Sequence, residues 1–459
     1  MLITIAKSTG ISALLFFCSD VIAQQQDTLL TLKGAISLAQ TRYHFLQAQK
    51  YEADAADRDV AVARYGKMPT LEASYQAGFA TANNLTGVFY PNGLLPMTGP
   101  PSTSNKFSPA TGSAASLLLN WQVATFGEQD AKIDLAKAEA KSQKASYQNE
   151  VFDHSIQVIS AYLDILLAYE QVSIHQHNIE RVQAGLKESK VLSVTGIKPG
   201  VDSVLFLAEL SKARVALANA QKQLETGQWQ FSRLLALNQL TVPVDSIFVH
   251  TLPDSTLTTD TPLTNHPLLL LAQSHLESSQ SRERLLKKSS LPKLTIWGTG
   301  FARGSGFEND GTLKTWDGIG LSRYNYGAGL QLAFPIMKYG EVKRRLRVVQ
   351  LHTQAFREQV EQDRSTLSSQ THIALVSFRN SLAVARETSL QVIASKKALS
   401  AMQIRYKTGL VNFTELIQTQ YNLLSAELDQ KQSYWDVWKG LLLQAAVEGD
   451  IQLFLNQIR

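Results

Sequence analysis

The chain has 459 residues, room for two or three ordinary domains, and its 83 charged side chains leave a net charge of only +5. So mild a bias excludes the footprint of a nucleic-acid binder, which gathers lysine and arginine on one face. With a single cysteine, Cys18, the chain cannot be a disulfide-stapled scaffold, and its stability rests on packing and assembly.

The first residues read as an export signal. Lys7 gives a positive start, Ile11 to Phe17 an apolar run, and Val21-Ile22-Ala23 a cleavage site, so residues 1–23 are expected to be removed. Cys18 invites a lipid anchor, but Phe16 and Phe17 are bulky for a lipobox. No later segment has 18 consecutive apolar residues. That excludes a membrane-spanning helix and leaves a barrel as the way into a bilayer.

From Thr31 to about Met68 the apolar residues recur at helical spacing, and Pro69 stops the run. Leu71, Ala73, Tyr75, Ala77 and Phe79 then alternate with Thr70, Glu72, Ser74, Gln76 and Gly78, the pattern of a strand with one greasy and one wet face. Residues 82–112 hold five prolines among Asn, Ser, Thr and Gly and read as a long loop. Alternation resumes with Ala115, Leu117, Leu119 and Trp121.

A long helical arm follows, from Phe126-Gly127-Glu128 to Thr195-Gly196-Ile197. After the turn Gly196-Ile197-Lys198-Pro199-Gly200 a second helix is predicted from about Val201 to Leu237, and a proline-bearing connection spans 241–264.

The plan then repeats. A helix from Leu268 to Lys288 ends at Pro292, a strand is predicted over Lys293 to Ala302 and another over Asn325 to Phe334. A second arm runs from Tyr339-Gly340-Glu341 to Thr408-Gly409-Leu410, and its return helix from Phe413 to about Leu453 closes the chain. The glycine-to-glycine spacing is 69 in both arms, with no proline and one further glycine, Gly185. A continuous helix of that length spans about 100 Å, too long for a compact enzyme. The predicted organisation is therefore a first repeat over 24–240, with a β-hairpin at 69–122 and a helical hairpin at 127–240, a linker at 241–264, and a second repeat over 265–459, with a β-hairpin at 292–334 and a helical hairpin at 340–453.

Two points stay open at this level. In the third strand Trp297 and Phe301 share a face with Thr295 and Thr299, while Leu294 and Ile296 lie with small residues, so its outward face is undecided. Four strands are also too few for a transmembrane barrel, which needs at least about eight. Either several chains contribute to one barrel or these strands lie outside a membrane.

With the helix-proline-strand order at Pro69 and Pro292, the strand-end motifs from Trp121 to Glu128 and from Phe334 to Glu341, and the two matched turns, the chain resembles the TolC family of outer-membrane channel proteins over nearly its whole mature length. The resemblance implies a mainly α fold with a β-barrel portion: a homotrimer whose four strands per chain build one 12-stranded barrel, continuous with a periplasmic tunnel of coiled helices. It implies a passive exit duct of a tripartite efflux pump or type I secretion system in the outer membrane of a Gram-negative cell. Its partners would be outer-membrane lipid, a periplasmic adaptor and, through it, an inner-membrane transporter, with no cofactor, no metal and no nucleic acid. A periplasmic coiled-coil adaptor or scaffold is the alternative; it would require compact soluble β domains in place of two long-looped hairpins.

By the same resemblance the periplasmic tips, where adaptor hairpins dock, are Gly196, Ile197 and Lys198 with Gly409, Leu410 and Val411. The entrance latch would pair Asp202, six residues after the first glycine, with Tyr406, three before the second. An arginine that the best-known member of the family carries two residues after the second glycine is Val411 here, and an acidic entrance ring is represented at most by Glu415, with Gln418 three further on. Plainer roles compete: acids in a first helical turn favour the dipole, Tyr406 would also serve as a packing aromatic, and the glycines would stop helices in any fold. A basic cluster, Lys338, Lys343, Arg344, Arg345 and Arg347, suits either anionic head groups or a solvated face. His175 and His177, two apart on a helix, point to different sides. The spacing of Gly298, Gly300 and Gly304 does not fit a nucleotide loop.

Overall fold

The computed structural model describes residues 29–84, 101–238, 242–243, 245, 247–254, 263–308, 310 and 312–458. The expected signal peptide with Cys18, most of the first long loop and much of the linker lie outside these residues.

The described chain runs β1 (Leu29–Leu30), α1 (Leu32–Arg42), α2 (His44–Tyr65), β2 (Thr70–Ala80), β3 (Ala110–Ala124), α3 (Glu128–Val194), α4 (Gly200–Leu234), β4 (Val242–Pro243) and α5 (Ile247–His250). It continues with α6 (Pro267–Lys288), β5 (Lys293–Ser305), β6 (Arg323–Ala333), α7 (Lys338–Lys407), α8 (Phe413–Glu448) and α9 (Gln452–Leu455). The two arms are unbroken helices of 67 and 70 residues, about 100 Å each.

The helix expected over Thr31 to Met68 is two helices. They part at Tyr43, whose backbone is extended (φ −66°, ψ 114°) and whose ring stacks on His154 at 4.0 Å. No proline or glycine marks the break; a contact 111 residues away in sequence sets it. The repeats also differ at their first glycines. Gly127 has φ +91° and, with Phe126 at φ +49°, makes the sharp corner from β3 into α3. Gly340 lies inside the first turn of α7 and needs no such conformation.

Midway along the arms sits the main core. Val158, Ile159, Tyr162 and Leu163 of α3 meet Leu32, Ala35 and Ala39 of α1, Phe231 of α4, Phe248 of α5, Phe378 and Leu382 of α7, Trp438 and Leu441 of α8, and Phe454 of α9. Phe248 stands edge-on to Trp438 at 4.8 Å. The hydroxyl of Tyr162 donates to Asp245 Oδ2 at 2.9 Å, next to the short parallel pair β1 and β4. One described helix, α3, carries an 18-residue stretch apolar enough to cross a bilayer, contrary to the expectation that none does, and 56% of that stretch is buried inside the protein. It serves as core.

At one end of the arms lies a four-stranded antiparallel sheet in the order β2-β3-β5-β6. Its register decides the open face of β5. Leu117 pairs with Ala73 and Gly300, Ala115 with Tyr75 and Ala302, and Gly300 in turn with Tyr326. Leu294, Ile296, Gly298, Gly300 and Ala302 therefore share the apolar face with Leu71, Tyr75, Leu117, Leu119, Tyr324, Tyr326 and Leu330, while Trp297 and Phe301 lie on the polar face with Ser116, Asn120, Asn325 and Gln331. Most of the apolar face is uncovered, with Tyr326 95% and Leu330 70% exposed, and only its outer end, at Ala302 and Ser113, lies under the β5–β6 loop. Trp297 is seated in a gap left by two glycines of β6: a Cβ at Gly329 would stand 2.8 Å from its ring, and one at Gly327 3.6 Å. Among the described residues β2 and β6 are unpaired on their outer edges.

Polar stitches join sheet and arms. Lys293 at the foot of β5 reaches Glu128 at 2.6 Å, Lys67 reaches Asp130 at 2.5 Å, and Gln129 donates to the carbonyl of Ala63 at 2.7 Å.

Candidate gate at the helical tips

At the far end of the arms the two turns are built alike. Gly196 (φ +74°) and Gly409 (φ +78°) each take the left-handed conformation that ends a helix. Ile197 N–H returns to the carbonyl of Leu192 at 2.9 Å and Leu410 N–H to that of Arg405 at 2.9 Å. The preceding threonines, Thr195 and Thr408, bond back to the carbonyls of Val191 and Ile404 at 3.1 and 3.2 Å. A restart follows each turn: α4 begins behind Pro199, and α8 behind Asn412, whose Oδ1 accepts from Glu415 N–H at 2.9 Å.

The two hairpins of the chain close on each other through a small core of Val182, Phe206, Leu210, Leu399, Tyr406, Val411, Leu416, Ile417 and Leu423. Phe206 stands edge-on to Phe413 at 4.8 Å and to Tyr406 at 6.3 Å. Gly185 makes room for it, since a Cβ there would come within 2.5 Å of the Phe206 ring.

Within this apolar surround lie the polar links. The Tyr406 hydroxyl donates to Asp202 Oδ2 at 2.9 Å, and both residues are buried. Burial first, and the bond to Asp202 second, push the phenol pKa up to about 12, so it stays a protonated donor. Lys198 of the first tip donates to the carbonyl of Val411 in the second at 2.6 Å, with its ammonium 4.8 Å from the centre of the Tyr406 ring. Further from the turns, Lys407 faces Glu188 at 3.4 Å, Arg181 faces Glu427 at 2.8 Å, and Tyr421 donates to Glu209.

The structure therefore brings together Asp202, Tyr406, Lys198 and Val411 and leaves Ile197 and Leu410 uncovered at the extremities. Glu415 is exposed and engaged with Asn412, accepting from its Nδ2 at 3.2 Å, in the manner of a helix cap. Two features escaped the sequence reading. Lys198 bridges the tips, and Phe206 packs against Gly185. Gly185 was the available signal: it stands eleven residues before Gly196 and Phe206 ten after, so a hairpin closing at Gly196 brings them level. The basic cluster lies exposed on the first turns of α7, where Arg345 pairs with Glu341 at 2.7 Å. Among the described residues no group of three or more His, Cys, Asp or Glu could hold a metal ion.

A model of the outer membrane efflux protein family matches residues 35–237 and 260–433. A search of curated proteins found no significant match. Among solved structures, the outer-membrane channel OprN superposes with a TM-score of 0.75 at 16% identity, over 92% of this chain and 90% of its own. The CmeC outer membrane channel of Campylobacter jejuni gives 0.73 at 14% identity, over 91% and 85%. The outer membrane protein VceC of Vibrio cholerae gives 0.71 at 14% identity, over 91% and 96%. At such identities these likenesses speak for the fold.

Proposed function

The chain belongs to the outer membrane efflux protein family of TolC-like channels, and from that premise we propose that three copies assemble into a passive exit duct of a tripartite pump or type I secretion system, docking a periplasmic adaptor at the tips. The observation that carries this reading is the pairing of an open four-stranded sheet, apolar on one face and, among the described residues, unpaired on both edges, with helical arms about 100 Å long. Two bare edges and one bare apolar face are unfavourable in water. Edge-to-edge closure of three sheets removes the edges, and lipid covers the face. The duct carries solute without chemistry of its own.

In this reading Tyr406 and Asp202 latch the two hairpins of each chain, and Lys198 supplies from the first tip a cation that Val411 does not. Glu415 adds negative potential around the opening. Ile197 and Leu410, with Gly196 and Gly409 shaping the turns, offer apolar ends to an adaptor hairpin.

Single-channel conductance of the detergent-extracted protein in a planar bilayer tests this. Native protein is expected to give small steps, and the Asp202→Ala, Tyr406→Phe double variant markedly larger ones. Folded protein that never inserts would overturn the duct, whereas equal steps in both proteins would overturn only the latch.

A further inference from the structure

The function above does not use the large side chains on the polar face of β5. Register places Arg303 directly opposite Arg323, and the neighbouring pair on the same face is Phe301 opposite Asn325. Two like charges directly opposite in an antiparallel ladder destabilise it, so this arrangement is not one that sheet formation selects.

Nor is the repulsion relieved within the chain. Both arginines are exposed, and neither pairs with a carboxylate among the described residues. From Thr81 to Pro109 the sequence contains no Asp or Glu. In the β5–β6 loop, Glu308 and Asp317 face Lys314 at 3.1 and 3.9 Å, and Asp310 accepts from Thr312 at 2.9 Å. A contrast lies on the same face at the other end of β5, where Lys293 is committed to Glu128 at 2.6 Å. One basic residue of this strand face is thus structural, and the pair at the opposite end is free for something else.

We infer that Arg303 and Arg323, with Phe301 and Asn325 one step down the ladder, form a lumen-facing site for aromatic anions near the outer mouth of the duct. The chemistry follows from the residues. Two guanidinium groups converge on a carboxylate, sulfonate or phosphate through paired N–H donors. The Phe301 ring, about 7 Å along the strand from Arg303, takes the flat apolar body of the solute, and the Asn325 amide bonds polar substituents. Ala114, the partner of Arg303 on β3, presents only a methyl group beside the site. Trp297, seated on Gly327 and Gly329 about 13 Å below Phe301, is a second aromatic step on the same path. Three-fold assembly sets three such sites around the opening, six guanidinium groups in all, which concentrates anions there.

The inference rests on the duct reading, and its test separates the two. Native channels in a planar bilayer are exposed on the barrel side to 1-naphthalenesulfonate, with methanesulfonate as the non-aromatic anion. Naphthalenesulfonate is expected to block native current, the Arg303→Gln, Arg323→Gln variant to require roughly ten-fold more of it, and Phe301→Leu to weaken the block while leaving methanesulfonate without effect throughout. An unchanged block in the double variant, or an equal block by methanesulfonate, overturns the site while leaving the duct standing. Should native protein form no channels, the duct reading fails on its own. Equilibrium dialysis of naphthalenesulfonate against detergent-solubilised native and double-variant protein then decides the site: preferential binding to the native chain supports it, and equal binding overturns it.

Discussion

Tyr406 shows how a single residue serves two purposes. Its ring fills the small core between the hairpins and its hydroxyl satisfies Asp202, which would otherwise be a buried carboxylate without a donor. Periodicity alone could not have joined these two residues, which lie 204 positions apart; only the resemblance of the turns suggested it. Gly185 was legible in a different way, as the one glycine in an arm that otherwise excludes glycine, and its reason became visible only when Phe206 was placed against it. Gly185→Ala drives a methyl into that ring, and overpacking of this kind costs about 1–3 kcal/mol. Thermal unfolding is expected to move to lower temperature, and adding Phe206→Leu to restore most of the loss. A variant as stable as the native chain would show that the hairpin has slack here.

For the elements, helices and strands were legible because duplication made each segment appear twice, and because alternation and 3.6-residue spacing seldom coincide. What the sequence withheld was set by contacts between distant segments. The break at Tyr43 answers to His154, the corner at Phe126-Gly127 has no counterpart at Gly340, and the face of β5 follows from its neighbours' register. That register makes adjacent leucines of β3 a controlled pair. Leu117 lies on the lipid-compatible face and Leu118 on the polar one. Leu117→Arg is expected to destabilise the inserted barrel by about 2–4 kcal/mol, and Leu118→Arg by far less. Folding yield into lipid vesicles measures the difference, and equal yields would mean that the faces have been assigned wrongly.

Across the whole molecule, two buried histidines tie the ends of the return helices to the rest. His154 Nε2 meets the carbonyl of Leu234 at the end of α4, and His266 Nε2 that of Ala446 near the end of α8, both at 3.0 Å. A carbonyl only accepts, so each Nε2 carries the proton, and His266 Nδ1 is occupied as acceptor for Leu268 N–H. Burial holds both imidazoles below their ordinary value of 6.5, more strongly than the carbonyls raise them. The unfolded chain therefore takes up protons first as pH falls. Stability is full above that ordinary value and declines below it, down to the folded-state values. The unfolding temperature is expected to drop between about pH 7.5 and 5.5, and the slope to flatten in the His154→Gln, His266→Gln variant, with His175, also held down by burial, supplying the remainder. An unaltered slope would place the acid sensitivity elsewhere. Asp153, beside His266 and pushed up by burial, contributes with the opposite sign as pH falls.

The separation between the main core and the tips has a mechanical meaning. Tyr162 lies in that core and Gly196 34 residues further along, about 50 Å away down a continuous helix. A displacement of about 1 Å at the tip, enough to break the Tyr406 hydroxyl bond, corresponds to a tilt of about one degree at the core. Side-chain packing absorbs so small a tilt without any residue changing partners. In the proposed reading each hairpin is a lever pivoted in the core, with its catch at the end of the long arm. A partner that grips the tips would, in that reading, release the catch by a small displacement, while the sheet at the other end scarcely registers the motion.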